Sequence, residues 1–237
     1  MVVVKAVILA AGKGERMLGT ALPKQFIKLK NKPLLAYTLN VFQQCNRIDG
    51  IVLVTNSNKK DYCRNFVVKR FGFSKVKKII VGGETRQESS YNGIKALENE
   101  RVDIVVIHDA ARPFVNEDII VRCIEAAEKY GASDVCVKAT DTVVKEKDGF
   151  IEEIPDRSIL WYGQTPQAFK YRLILAAHEK AKRDSFLKAT DDASLVLRLG
   201  HKVKIVEGSY ENIKITNPID LKIAEKIIEN KREDKHC

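Results

Sequence analysis

The stretch that decides the fold is VKAVILAAGKGERM, residues 4–17. Its first half, Val4–Ala10, is a bounded run rich in apolar residues, which is typical of a strand buried on both faces of a sheet. Two glycines, Gly12 and Gly14, follow this strand directly. Small residues at the carboxyl end of a strand let backbone N–H groups approach a phosphate or a base closely. The stretch therefore predicts an α/β sheet with a ligand site at the end of its first strand.

Further along the chain, strand-like runs alternate with helical segments. Strand-like runs are predicted at Ile51–Thr55, Lys78–Val81 and Ile104–Ile107. Segments of helical length are predicted at Pro33–Gln44, Asn58–Phe71, Arg86–Glu98 and Asn116–Tyr130, with Gly131 as the C-cap of the last. This alternation predicts right-handed crossovers and a Rossmann-like α/β fold, a mostly parallel twisted sheet flanked by helices.

The pattern changes after about residue 134. Three short, charged strand candidates follow: Asp134–Ala139, Asp141–Lys147 and Gly149–Ile154, with Asp148-Gly149 as a hairpin turn. A lone hairpin is marginal in water, so we expect it to lie against a second subunit. The helical pattern returns at Gln167 and ends with Asn217–Asn230. We expect one domain over residues 1–237, with a projecting β-hairpin arm at roughly 138–158 that serves homodimer formation.

Composition excludes several classes of protein. No run of about 18 apolar residues exists, so we expect no membrane-spanning helix and a cytoplasmic location. The net charge of +10 is spread along the chain without interleaved aromatic residues, which argues against nucleic-acid binding. The five cysteines are scattered and form no CxxC pair, so neither a zinc site nor a disulfide framework is expected.

Two familiar nucleotide-binding loop motifs can be compared with the sequence. A Walker A loop ends in Gly-Lys-Ser/Thr, which is absent here. The dinucleotide fingerprint needs a third glycine where Met17 stands and an acid ending the second strand, where Thr55 stands. The sequence matches neither motif, and the absence of the dinucleotide fingerprint also counts against a dehydrogenase.

The loop after the glycines carries two cations, Arg16 and Lys24. A connection with many N–H donors and fixed positive charges suits a triphosphate, because phosphoryl transfer gathers charge on the oxygens of the attacked phosphorus. The alternative is that both side chains are solvated loop charges, and the pattern alone leaves both interpretations open.

Taken together, the motifs identify a family. AAGKGERM and PKQF are followed by GGETRQES (82–89), HDAARP (108–113), QTPQ (164–167), TDDA (190–193) and NIKIT (212–216). This ordered set resembles the nucleotidyltransferase fold, and within it the 2-C-methyl-D-erythritol 4-phosphate cytidylyltransferases of the non-mevalonate isoprenoid pathway. The match runs from residue 6 to about 225, nearly the whole chain.

The resemblance implies the reaction and its cations. The implied enzyme transfers CMP from CTP to 2-C-methyl-D-erythritol 4-phosphate and releases pyrophosphate, by direct in-line attack of the acceptor phosphate on the α-phosphate of CTP. Arg16, Lys24 and Lys214 would bind the phosphates and stabilise the transition state. Mg²⁺, or another divalent cation, is expected to be held mainly by the CTP phosphates, with the protein ligand left open.

The resemblance also implies two sets of binding residues. CTP contacts are expected from Ala10, Ala11, Gly12, Gly14, Gly83, Ser89, Asp109 and Ala110. Acceptor contacts are expected from Arg112, Thr142, Arg157, Thr165 and Thr190. Ser89 could instead be an ordinary first-turn helix residue, and the threonines could reflect strand and cap preferences. His108 ends an apolar strand, and we expect it to be a packed, hydrogen-bonded core residue.

Two alternatives stay open. A ribitol 5-phosphate cytidylyltransferase has similar loops and the same chemistry. A catalytically inactive nucleotide-binding protein is the other, although this chain retains Arg16, Lys24 and Lys214 together.

Overall fold

The computed structural model describes residues 1–12, 24–187 and 189–233. The strands, in chain order, are β1 (Val4–Ala10), β2 (Lys28–Leu29), β3 (Lys32–Pro33), β4 (Gly50–Thr55), β5 (Val76–Val81), β6 (Ile104–Asp109), β7 (Ala132–Lys138), β8 (Lys145–Lys147), β9 (Phe150–Glu153), β10 (Trp161–Lys170) and β11 (Lys204–Glu207). The helices are α1 (Leu34–Gln44), α2 (Lys60–Tyr62), α3 (Arg86–Lys95), α4 (Glu117–Tyr130), α5 (Tyr171–Arg183), α6 (Ala193–Arg198) and α7 (Pro218–Glu233).

The central sheet has seven strands in the order β11-β7-β10-β6-β1-β4-β5. Every neighbouring pair is parallel except the two that involve β10, which runs antiparallel to both β6 and β7. The predicted fold class, a mostly parallel sheet flanked by helices, is therefore confirmed. The first strand occupies the predicted residues Val4–Ala10.

Helices cover both faces of this sheet. Alternate residues of β1 point to opposite sides, so that Ile8 joins the core under α1 and α4 while Val7 joins the core under α3, α5 and α6. Because both faces are buried, the inner strands read as continuous apolar runs, which is why the sequence identified them. A third cluster places α7 against β2, with Leu29 and Ile228 in contact with its other members.

Local signals set the boundaries of the two helices next to the site. Helix α3 begins with a capping box, in which Thr85 and Glu88 satisfy each other's backbone N–H groups. Helix α4 begins after Asn116, whose side chain accepts a hydrogen bond from the Ile119 N–H, and ends at Gly131 with φ of 90°. The predicted C-cap is thus confirmed, because glycine adopts this left-handed conformation at little cost.

Three sequence-based predictions need correction. The helical pattern does not return at Gln167, since that residue lies inside β10 and α5 begins only at Tyr171. The strand predicted at Asp134–Ala139 is confirmed as β7, but it is a buried strand of the central sheet and not one of a group of short, charged strands. The helix predicted over 58–71 winds irregularly, with a 3₁₀ turn, the short α2 and a π-helical stretch at Cys63–Lys69.

The predicted β-hairpin exists, but it is shorter than expected. Strands β8 and β9 form a separate two-stranded sheet, joined by a turn in which Asp148 has φ of 54° and Gly149 of 84°. Both residues at positive φ is the geometry of a two-residue hairpin turn. The extent of the domain and the arm's role in dimerisation stay predictions. Within the described part of the chain, no helix is long and apolar enough to cross a membrane.

Candidate functional site

A cavity of about 940 Å³ opens where the carboxyl ends of the parallel strands meet. The residues that follow β1, β4, β5 and β6 line it, together with the first turn of α3 and the segment around Lys214. Residues predicted to contact CTP that line this cavity are Ala10, Ala11, Gly12, Gly83, Ser89, Asp109 and Ala110. Lys214, one of the predicted phosphate-binding cations, lines it as well.

Three predicted contacts fall outside what can be described. Arg16 and Gly14 lie outside the described residues, and the side chain of Lys24 does as well. Gln25, which follows Lys24, is buried, and its Nε2 donates hydrogen bonds to the carbonyl oxygens of Ala10 at 2.6 Å and Gly12 at 3.2 Å. This side chain was not predicted to be part of the site, yet it lines the cavity and fixes the end of β1.

Glycine at position 82 is required by close packing. A Cβ there would lie 2.5 Å from the Ala11 Cβ and 2.7 Å from the Ser89 Oγ. The neighbouring Gly83 N–H donates to the Ser89 hydroxyl at 3.1 Å, and Ser89 itself is buried. This part of the cavity wall is thus made of backbone, small side chains and one short hydroxyl, a surface that suits a small planar ring.

Asp109 is one of three acidic residues that line the cavity, with Glu84 and Glu88, and it ends β6. The Arg86 Nε lies 3.2 Å from its Oδ1, and the Lys214 Nζ lies 2.7 Å from its Oδ2. Burial alone would raise the pKa of Asp109, but the charges of Arg86 and Lys214 outweigh it and hold this pKa well below its usual range. Asp109 is therefore ionised at neutral pH.

Backbone pairing explains why Lys214 reaches this acid although they are distant in sequence. The Ile215 N–H donates to the Ala111 carbonyl at 2.8 Å, and the Ile215 side chain is fully buried in the third core cluster. Lys214, the residue before it, is held at the end of β6 next to Asp109. A cation and an anion are therefore fixed at one wall of the cavity.

Behind Asp109 lies a hydrogen-bonded chain through His108. The His108 Nε2 contacts the Arg112 carbonyl oxygen at 3.0 Å, so this nitrogen carries the proton and Nδ1 accepts from the Thr165 hydroxyl at 3.0 Å. The Thr165 oxygen in turn accepts from the Asp109 N–H at 3.1 Å. Burial lowers the pKa of His108 to about 4, so it is neutral. Its prediction as a packed core residue is confirmed.

The residues predicted to contact the acceptor do not line the cavity within one chain. The Arg112 guanidinium donates to the carbonyls of Asn212 at 2.8 Å and Gly163 at 3.3 Å, next to the cavity. Thr165 uses its hydroxyl behind Asp109, as described above. The remaining three are exposed: Thr142, Arg157 and Thr190. Their roles toward the acceptor stay predictions.

Sequence reasoning missed Arg86, although the motif that contains it was recognised. Arg86 lines the cavity and forms ion pairs with two acids, Asp109 and Asp192. These partners lie 23 and 106 residues away, so no local spacing reveals them. The only available signal was the occurrence of GGETRQES and TDDA in one motif set.

Comparisons with known proteins agree with this architecture. The family model described as 2-C-methyl-D-erythritol 4-phosphate cytidylyltransferase matches residues 4–230. Proteins of that name from Geobacter metallireducens and Clostridium novyi are 47% and 48% identical over 228 and 226 residues, each covering 95% of this chain and 97% and 96% of the relative.

Solved structures give the same result. The 4-diphosphocytidyl-2C-methyl-D-erythritol synthase of Anaerococcus prevotii superposes with a TM-score of 0.84 at 32% identity, covering 96% of both chains. The 2-C-methyl-D-erythritol 4-phosphate cytidylyltransferase of Thermus thermophilus gives 0.76 at 30% identity, covering 94% of this chain and 98% of that one. The chain therefore belongs to the 2-C-methyl-D-erythritol 4-phosphate cytidylyltransferase family.

Proposed function

We propose that this enzyme transfers the CMP group of CTP to the phosphate of 2-C-methyl-D-erythritol 4-phosphate. An oxygen of the acceptor phosphate forms a bond to the α-phosphorus, and the bond from that phosphorus to the oxygen bridging to the β-phosphorus breaks. Pyrophosphate leaves, and the product is 4-diphosphocytidyl-2-C-methyl-D-erythritol. The family model and the curated relatives do not favour the ribitol 5-phosphate alternative.

The observation that carries this proposal is the composition of the cavity wall. One side consists of small residues and backbone at Ala10–Gly12 and Gly83, with the Ser89 hydroxyl, where we place the cytosine ring. Lys214 is held at the opposite side of β1, beside the ionised Asp109, where we place the phosphates. The nucleophile is already an anion, so the residues have to position the two substrates and neutralise charge.

Arg16 and Lys24 belong to the same proposal on the resemblance alone. They would add their charges to that of Lys214 around the triphosphate, and the attacked phosphorus would gain negative charge in their field. No covalent intermediate with the protein is needed, because donor and acceptor meet directly.

We also propose that Mg²⁺ takes part. Both carboxylate oxygens of Asp109 are already paired with Arg86 and Lys214, and the part of the chain that is described contains no group of three or more His, Cys, Asp or Glu side chains suited to a metal. This donor set fits a cation that takes most of its oxygen ligands from phosphate and water. Bound there, Mg²⁺ would neutralise part of the triphosphate charge.

A homodimer is the next element of the proposal. The arm leaves large apolar side chains exposed: Phe150 at 78%, Ile151 at 63%, Ile154 at 59% and, just after the arm, Ile159 at 72%. So many exposed apolar residues on a thin hairpin indicate that a protein surface covers them. A second copy of the chain would do so and would bring Thr142 and Arg157 to the partner's cavity. A fully active monomer in sedimentation velocity would contradict this.

We further propose a cytoplasmic location. Cys45, Cys63, Cys123 and Cys136 are buried free thiols in the structure. Thiols persist in reducing compartments, whereas secreted proteins usually oxidise theirs. Cell fractionation with an antibody against the chain tests the location directly.

The decisive experiment is pyrophosphate release with Mg²⁺ and CTP, with 2-C-methylerythritol 4-phosphate and ribitol 5-phosphate offered in parallel. We expect release with the methylerythritol compound alone. A Lys24→Ala variant should lose turnover while its thermal melt stays close to that of the wild type. Pyrophosphate release with ribitol 5-phosphate alone would refute the proposed acceptor. No release with either compound would refute the proposed activity.

A further inference from the structure

A second acid, Asp192, lies behind the cavity wall and is almost fully buried, with 1% of its side chain exposed. Three donors converge on its carboxylate: the Arg86 Nη1 at 2.7 Å, the Ser90 Oγ at 2.6 Å and the His178 Nε2 at 2.9 Å. Its own backbone N–H donates to the Gln167 Oε1 at 3.0 Å. Partners from α3, α5 and β10 therefore fix Asp192 in one position.

Arg86 connects this fixed acid to Asp109 at the cavity wall. One nitrogen of its guanidinium, Nη1, is bound to Asp192, and another, Nε, contacts the Asp109 Oδ1 at 3.2 Å. Because the guanidinium is planar and rigid, anchoring one nitrogen sets the direction of the other. Asp192 therefore fixes the orientation in which Arg86 meets Asp109.

The two cations on Asp109 differ in how firmly they are held. Arg86 is held by two acids through two nitrogens of its guanidinium, and 22% of its side chain is exposed. Lys214 contacts Asp109 through a flexible four-carbon stem, and 37% of its side chain is exposed. Lys214 is also the cation that the proposed function needs at the CTP phosphates. To reach them it has to loosen its contact with Asp109.

We infer that Arg86 is a positioning residue, which keeps Asp109 paired and oriented while Lys214 leaves it for the phosphates of CTP. This inference rests on the proposed function. Without Arg86, the departure of Lys214 would strand a buried carboxylate without a cation, and removing one partner of a buried charge pair is strongly unfavourable. Asp109 would then compete with CTP for Lys214. With Arg86 in place, Lys214 can be exchanged at small cost.

The test compares the wild type with a paired variant, Arg86→Gln combined with Asp192→Asn. Arg86→Gln alone would leave Asp192 buried without its cation and endanger folding. The paired variant removes one cation and one anion, so the net charge of the cluster is unchanged. Arg64→Gln is the control, because Arg64 forms an exposed ion pair with Asp61. Thermal melts establish that each variant is folded.

CTP affinity is measured by calorimetry with Mg²⁺ and without acceptor, and kcat/KM from pyrophosphate release. We expect the paired variant to lose about 10- to 100-fold in both, the loss typical when a residue that orients a ligand-binding group is removed. Arg86→Lys keeps the charge but cannot reach both acids. Its CTP affinity and kcat/KM should lie between those of the wild type and those of the paired variant. Wild-type affinity and kcat/KM in the folded paired variant would overturn the inference.

A second comparison separates positioning from a merely structural role. In a Lys214→Met background, the paired substitutions should change kcat/KM by less than about threefold, because residues that act through one another are not additive. An equal loss in both backgrounds would show that Arg86 acts independently of Lys214 and would refute the inference. If the wild type binds CTP but releases no pyrophosphate, the proposed function fails, while the affinity comparison still decides the role of Arg86.

Discussion

Replacing Asp134 with Asn should stabilise the fold, and the gain should grow with pH. Asp134 lies on β7 with 8% of its surface exposed, and its Oδ1 has no hydrogen-bond partner among the described residues. Burial raises the pKa of this carboxyl to about 7, and the charge of Asp191 adds to the effect, against the opposing influence of Gln167 and Arg86. The ordinary value is 3.8.

Proton linkage gives the size and sign of the contribution that Asp134 makes to the free energy of unfolding. Between pH 3.8 and about 7 the unfolded chain has an ionised Asp134, whereas the folded chain keeps it protonated. Stability from this group is thus complete below the lower pKa and is lost as pH rises toward the higher one, at about 1.4 kcal/mol per pH unit. The full loss is about 4 kcal/mol, and about 3 kcal/mol of it falls between pH 5 and 8.

The assay is urea unfolding of the wild type and Asp134→Asn at several pH values between 5 and 8. The difference in the free energy of unfolding isolates Asp134, because Asp109 and Asp192 titrate in both proteins. We expect this difference to rise by about 3 kcal/mol over that range in favour of the variant. Asp141→Asn, at an exposed position, is the matched control for the loss of one carboxylate. A constant difference would refute the argument that Asp134 is protonated in the fold.

Two further predictions concern packing. Gly93→Ala should lower the free energy of unfolding by about 1–2 kcal/mol, because a Cβ there would lie 3.1 Å from the Val54 Cγ2 and closer still to Val7. This overpacking outweighs the better helix propensity of alanine. A raised melting temperature would contradict this. Phe150→Ser with Ile151→Ser should shift sedimentation toward the monomer and reduce pyrophosphate release; an unchanged dimer would place the interface elsewhere.

The sequence predicted best the strands that carry a run of apolar residues. β1, β4, β5 and β6 were each located to within two residues; the first, second and last of these are largely buried on both faces, whereas β5 is a partly exposed edge strand that was located from its apolar end, Ile79–Val81. β10 was missed because Gly163 and Pro166 interrupt it, and the structure accommodates them with a shift of register between Gly163 and Gln167. β7 was predicted as a strand but was grouped with the charged segments that follow it, because the predicted segment begins with a charged residue, Asp134, which is nevertheless buried.

For the site, local sequence revealed the residues that follow strands and little else. The site at the small residues after β1 was predicted because ligands bind at the carboxyl ends of the strands in open α/β sheets. Lys214 came from the resemblance. Arg86 and Gln25 act through contacts to other parts of the chain, so only the folded structure shows what they hold in place. No periodicity or spacing encodes such contacts.

The antiparallel strand β10 separates the arm from the strands that form the cavity, and this bears on how the family can diversify. Because β10 runs opposite to β6 and β7, Trp161 pairs with Lys138 and both stems of the arm leave from the edge of the sheet that holds the cavity. The segment between them can therefore change in length or sequence without disturbing the strands that hold the nucleotide end. Members of the family can thus diverge in this insert while the strands that form the cavity stay unchanged.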